Sequence, residues 1–185
     1  MTLYLIRHTR PDIAPGICYG QLDPDVADSF ADEAIDINNW LPAVDLIISS
    51  PLLRTRRLAD YLARCCEVRT DARLMEKHFG IWEGISWDDI DRRQINAWAA
   101  DIMDYVPPGG ESARQLMLRV QDFLSALTPL RNVAVVAHGG SIRAILALLA
   151  NVPLQDTLNW QIEYGSVIAV KIDGAFSCRI RENKL

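Results

Sequence analysis

Short apolar runs alternate with stretches of helical period along this chain. "LYLI" (residues 3–6) and "VAVVA" (133–137) are apolar at every position, the pattern of a strand buried on both faces. With their flanks they predict strands at Thr2–Ile6 and Val133–Ala137, and similar runs predict others at Asp45–Ile48, Glu67–Arg69, Ser166–Ile172 and Phe176–Arg181. Between them, apolar residues recur at three- and four-residue spacing near Ser29–Leu41, Pro51–Arg64, Trp87–Tyr105, Glu111–Leu127 and Ser141–Leu149, which predicts helices. Fully apolar strands interleaved with amphipathic helices need cover on both sheet faces, so the expected architecture is α/β, a three-layer α-β-α sandwich. The last two strands, joined at Asp173-Gly174, predict an antiparallel hairpin on one edge.

Composition narrows the class without changing this picture. The chain has 185 residues, half of them hydrophobic, enough for one domain with a real core. The expected organisation is a single domain over 1–185, with a helical cap segment near 86–110. A net charge of -5, with no block of five like charges, argues against non-specific binding to nucleic acid or an anionic membrane. Cys18, Cys65, Cys66 and Cys178 show no CxxC spacing and read as reduced thiols of a cytoplasmic protein. "MTLYLIRH" is too short and too soon charged for a secretory signal, and no apolar stretch nears the roughly 18 residues of a membrane helix. No heptad or interface patch decides between monomer and homodimer.

The chemistry gathers at strand ends. Each of the two most apolar strands delivers a histidine, His8 or His138, just past its carboxyl end, where open α/β sheets bind ligands. A lone histidine at a strand end is usually a hydrogen-bonded cap. Two in equivalent positions, one after Arg7 and one before Gly139-Gly140, favour function. The glycines allow close backbone approach and precede Ser141, the expected N-cap of an anion-attracting helix end. In "SSPLLRTRRLADYLARC", Ser50 is the expected cap and Pro51 the first helical position. Arg54 then falls on an inward stripe with Leu58, Tyr61, Leu62 and Cys65, whereas Arg56, Asp60 and Arg64 suit a solvated face. An arginine on the core-facing stripe needs an anion. "LMEKHFGIWEG" supplies a carboxylic acid, Glu76 or Glu83, while His78 reads as structural or exposed.

Two imidazoles, two arginines and a carboxylic acid are what phosphate monoester chemistry requires without a metal or other cofactor. Arginine forks match phosphate oxygens and stay charged. One neutral imidazole can attack phosphorus, and the other, protonated, can stabilise the equatorial oxygens. A protonated glutamate can give its proton to the leaving alkoxide and then activate water. These residues do not say which histidine attacks. A zinc site on His8, His78 and His138 is disfavoured, since neither HExxH nor ligand-spaced pairs occur.

"LIRHT", "SSPLLRTRRLA", "EKHFGIWEG", "PPGGES" and "VVAHGGSIRAIL", in this order, resemble the histidine phosphatase superfamily, with its phosphoglycerate mutase-like fold. The resemblance implies a six-stranded, mostly parallel sheet. It also implies that His8 is the nucleophile, Arg7 and Arg54 bind phosphate, Glu76 is the proton donor and His138 completes the pocket. "RHTRPDIAPGICYGQLD" further resembles a branch of α-ribazole-5′-phosphate phosphatases of cobalamin biosynthesis. The implied substrate contacts are Arg7, Thr9, Tyr19, Gly20, Gln21, Arg54, Glu76, His138 and Gly139. Thr9 stands where the common pattern has glycine. Other readings are a phosphatase of another small metabolite, a phosphoglycerate mutase, or a non-catalytic module on this fold. Trp82, Trp98, Tyr19 or Tyr105 could offer an apolar wall to a benzimidazole ring, although packing is the plainer role of each. Ser112 or Glu111 is expected near the rim in support.

Overall fold

The computed structural model describes residues 1–63, 66–128, 130–172 and 176–179, the last four as backbone alone. Six strands form one sheet: β1 (Thr2–Arg7), β2 (Leu46–Ser49), β3 (Glu67–Thr70), β4 (Asn132–Ala137), β5 (Val167–Ile172) and β6 (Phe176–Arg179). Their order is β3-β2-β4-β1-β5-β6. The first four strands of that order run parallel, and β5 pairs antiparallel with both β1 and β6. The predicted turn at Asp173-Gly174 lies outside the described residues.

The period-2 alternation of the central strands divides the core in two. Leu3, Leu5, Val133, Val135 and Ala137 face a layer from α4 (Ala113–Ser125) and α5 (Gly139–Ala150), meeting Leu116, Val120, Phe123, Ile142 and Ile145. Ile6, Ala134, Val136 and Ile47 face α1 (Phe30–Trp40) and α2 (Leu53–Leu62), meeting Ala34, Ile37, Leu58 and Leu62. Helices cover both faces, as fully apolar strands require. No helix among the described residues is long and apolar enough to cross a membrane. Burial pushes the Cys18 thiol up to about 12, with Glu83 adding to the shift, so this cysteine is an inert packing residue.

Two elements differ from expectation. On α2, Arg54, Leu58 and Leu62 are buried, but Tyr61 is 44% exposed, because its ring turns out against Phe30 of α1; Arg64 and Cys65 lie outside the described residues. The predicted helix over Trp87–Tyr105 shrinks to α3 (Arg92–Ala100). Asp91 starts it by accepting from the Arg93 amide, and Asp101 ends it, its side chain drawing in the Asp104 amide. Such side-chain bonds offer the backbone an alternative to the helix. The apolar spacing belongs instead to a separate cluster in which Cys18, Trp82 and Ile90 are buried against Phe79, Trp87, Ile95, Trp98 and Tyr105.

Candidate active site

β1 and β4 end in register, Arg7 opposite Ala137, so the next residues, His8 and His138, emerge side by side with ring centroids 5.1 Å apart. His8 Nδ1 lies 2.6 Å from the Thr9 carbonyl oxygen. A carbonyl only accepts, so Nδ1 carries the proton and Nε2 the lone pair. Arg54 agrees: its Nε–H donates to His8 Nε2 at 3.3 Å. His138 Nε2 meets the Ser50 hydroxyl at 2.8 Å, and its buried Nδ1 has no partner among the described residues. Ser50 therefore serves His138 rather than capping α2, which begins at Leu53 behind Leu52 with no side-chain cap.

Burial is the main force holding both imidazoles well below the usual histidine range. Arg54 is the next cause for His8, and His8 itself, then Arg54 and Arg7, for His138. The fold therefore favours a neutral His138 near pH 7 over the protonated imidazole expected from the sequence. An imidazole kept neutral by the fold binds fewer protons than in the unfolded chain, where its pKa is about 6.5. Its contribution to stability is complete above that value and is lost as pH falls through the window below it. Thermal melts between neutral and mildly acidic pH will show a declining Tm. The decline will be shallower in His138→Asn; parallel curves would contradict this.

Both arginines are fixed by backbone carbonyls and tyrosine faces. Arg54, wholly buried, donates to the Leu22 carbonyl (2.7 Å) and the Gly20 carbonyl (2.8 Å), and its guanidinium lies 5.1 Å from the centroid of the Tyr19 ring. Arg7 donates to the Ile162 carbonyl (2.7 Å) and stacks 3.9 Å over Tyr164, its buried Nε having no partner among the described residues. The Tyr19 and Tyr164 hydroxyls bond at 2.9 Å. One tyrosine pair therefore links the faces of both guanidinium groups. Tyr164, whose ring also lies 5.5 Å from that of His8, had no sequence signal; it arrives from the loop before β5.

Glu76 sits on the amino end of α5, Oε2 accepting from the Gly140 amide at 3.0 Å and Oε1 from the Lys77 amide at 2.9 Å. His138, not Ser141, is the N-cap of α5; the Ser141 hydroxyl bonds back to the His138 amide. Gly140 is required here, since a Cβ would lie 2.2 Å from Glu76 Oε1. Gly140→Ala will displace that carboxylate and lower kcat by about 10²-fold, the scale of a lost general acid, with Tm little changed; an unaltered kcat would refute this placement. At Gly139 a Cβ would only touch the Arg7 guanidinium.

The loop that carries Glu76 is pinned from four sides. Arg119 donates to the Arg73, Met75 and Glu76 carbonyls and pairs with Glu111, which accepts the His78 amide. Bonds from a charged donor are worth about 1.5–3 kcal/mol each, so Arg119, unflagged in the sequence, is a main brace of the loop. Gln21 donates its side-chain amide to the Glu76 carbonyl, and Glu83 accepts the Gln21 and Phe79 amides. Glu83 is thereby a loop organiser, while Glu76 is the carboxylate held at the amino end of α5. Gly20, at φ +41°, is needed beside Glu83, where a Cβ would fall 2.3 Å from Oε1. His78 is partly exposed beside Glu83, and Ser112 caps α4 with Gln115. Trp82 is buried, with Nε1 on Gln94 and its ring stacked on Tyr105, so the Trp82 ring is not a ligand wall. Thr9 is buried, and its Oγ1 has no partner among the described residues.

Arg7, His8, Arg54, Glu76, His138 and Gly139 thus converge on one rim, while Gln21 and the Tyr19 hydroxyl are engaged within the protein. Among the described residues no group of three or more His, Cys, Asp or Glu is placed to hold a metal ion. Over residues 3–181 the chain matches the histidine phosphatase superfamily, branch 1. Curated relatives include a Hydrogenobacter thermophilus protein provisionally named phosphoserine phosphatase 2, 30% identical with 99% of this chain and 95% of that one covered. The adenosylcobalamin/alpha-ribazole phosphatase of Escherichia coli K12 is 27% identical (96% and 93% covered). A 2,3-bisphosphoglycerate-dependent phosphoglycerate mutase of Nitrobacter winogradskyi is 26% identical (92% and 91%). The alpha-ribazole phosphatase structure from Shigella flexneri has the same fold, with a TM-score of 0.91 at 24% identity over 99% of this chain and 96% of that one. Ordered motifs, paired histidines and sheet topology agree with the match: the chain belongs to the histidine phosphatase superfamily.

Proposed function

We propose that this protein is a phosphomonoesterase that works through phosphohistidine at His8, without a metal, and that its substrate is α-ribazole 5′-phosphate. The observation that carries the chemistry is the His8 tautomer: the Thr9 carbonyl holds the proton on Nδ1 and leaves Nε2 a lone pair. Nε2 forms the N–P bond as the P–O bond to the leaving group breaks. Arg7, Arg54 and the Nδ1–H of His138, freed by a Ser50 hydroxyl donating to Nε2, hold the equatorial oxygens. Protonated Glu76 gives its proton to the leaving oxygen. The carboxylate then takes a proton from water, whose oxygen attacks phosphorus and releases phosphate and neutral His8.

The substrate reading rests on the "RHTRPDIAPGICYGQLD" resemblance and on the Escherichia coli relative. The mutase relative keeps a second reading in view. A panel of α-ribazole 5′-phosphate, phosphoserine, 3-phosphoglycerate and mononucleotides, compared by kcat/KM in chelator, separates them. The expected result is retained activity with at least tenfold preference for α-ribazole 5′-phosphate. Isomerisation of 3-phosphoglycerate would establish the mutase instead, and preference for another ester would replace the substrate.

A further inference from the structure

A general acid must reach the leaving oxygen, so the cavity that Glu76 opens onto is where the leaving group goes. That cavity, about 190 Å³, lies between the Glu76 loop, the cap helix α3 and helices α4 and α5, with Phe79, Trp98, Ile102, Leu116 and Leu158 in its wall. An apolar cavity of about 150 Å³ can hold benzene. The space and its largely apolar lining therefore suit a flat ring.

Two donors on this wall have no acceptor among the described residues: Lys77 Nζ and Trp98 Nε1. Lys77 is only 6% exposed. Its ammonium lies 5.1 Å from the Phe79 ring centroid and 5.3 Å from that of Trp98. Cation–π attraction replaces part of the lost hydration, but three N–H donors without an acceptor remain costly in a dry site. Burial accordingly pushes the Lys77 pKa down, while the charges of Glu111 and Glu76 act in the opposite direction. Arg143, at the Glu76 end, already donates Nη1 to the Thr157 carbonyl. Lys77 is the cation left to serve a ligand.

We propose that Lys77 is a specificity residue that donates to a lone-pair acceptor on a flat aromatic ring of the leaving group seated in this cavity. The inference rests on Glu76 being the proton donor. It is tested with benzyl phosphate and 3-pyridylmethyl phosphate, which differ in one ring acceptor, at a pH where the pyridine nitrogen is unprotonated. The protein should prefer the pyridyl ester by about tenfold in kcat/KM, and in Lys77→Met the ratio should fall to about one. A ratio within one protein is independent of how much of it folds.

The free alcohols, followed by quenching of tryptophan fluorescence, give the same comparison without chemistry. Turnover of both esters at equal kcat/KM, with equal binding of both alcohols, overturns the role of Lys77 and leaves the phosphatase reading standing. A ratio that persists in Lys77→Met also overturns it. No turnover of either ester, with the pyridyl alcohol still preferred and the preference lost in Lys77→Met, supports the lysine and leaves the phosphatase reading to the substrate panel; equal binding of both alcohols in that case overturns the lysine.

Discussion

His8→Ala will lose kcat/KM by about 10⁴- to 10⁶-fold, the range seen when an enzyme loses its nucleophile or the base beside it. The size follows from how little else at the rim can do the same work. His138 is 5.1 Å away, but its Nε2 is held by Ser50, and no other imidazole is near, since His78 lies beside Glu83. The His8 ring is also held in place: Nδ1 is fixed by a 2.6 Å bond and the ring sits between His138 and Tyr164. The variant should keep its fold, because β1 is anchored by its sheet partners and the imidazole fills the end of the strand rather than the core. Steady-state assays check the rate. Quenching the wild type in base during turnover of a labelled ester, which preserves an acid-labile N–P bond, should trap phosphate on the protein and none on the variant. Normal turnover by His8→Ala would end the phosphohistidine mechanism.

Arg54→Ala is expected to lower kcat/KM by about 10²- to 10³-fold, the cost of removing one preorganised donor from a charge-stabilising site. Arg54 does three things with one planar group. Nε–H orients the His8 lone pair, two further N–H groups tie it to the Gly20 and Leu22 carbonyls, and the charge favours the incoming phosphate. The ion-pair partner of Arg54, Asp23 at 3.8 Å, is exposed and so offsets the buried charge only weakly. Because a lysine has no fork to hold both carbonyls and His8 together, Arg54→Lys should recover only a small part of the rate. Inorganic phosphate, as a competitive inhibitor, should bind more weakly to both variants. Equal inhibition of wild type and Arg54→Ala would place the guanidinium outside the phosphate site.

The parts legible in the sequence are those set by local period. The unbroken apolar runs "LYLI" and "VAVVA" and the histidine after each located His8 and His138, and the register of Leu58 and Leu62 turned Arg54 inward. The errors came where a side chain answers to a distant neighbour. By sequence, Gly139-Gly140 precede a helix capped at Ser141, whereas α5 starts at Gly139 behind His138, with Gly140 leaving room for Glu76. Ser50 looked like a cap but bonds to a histidine from another strand. Tyr164, Arg119 and Lys77 carry no local signature; their roles exist only once β5, α4 and the Glu76 loop have come together.

The position of β1 also shapes how the protein must be made. This first strand is the middle of the sheet, and its two partners are residues 132–137 and 167–171. During synthesis "LYLI" leaves the ribosome with both edges bare and waits for most of the chain to follow. Pairing at such separation is slow, and a bare apolar strand is open to association in the meantime. Fragments that stop short of β4 would hold the His8 segment yet have no sheet to aim it, so catalytic competence comes late and all at once.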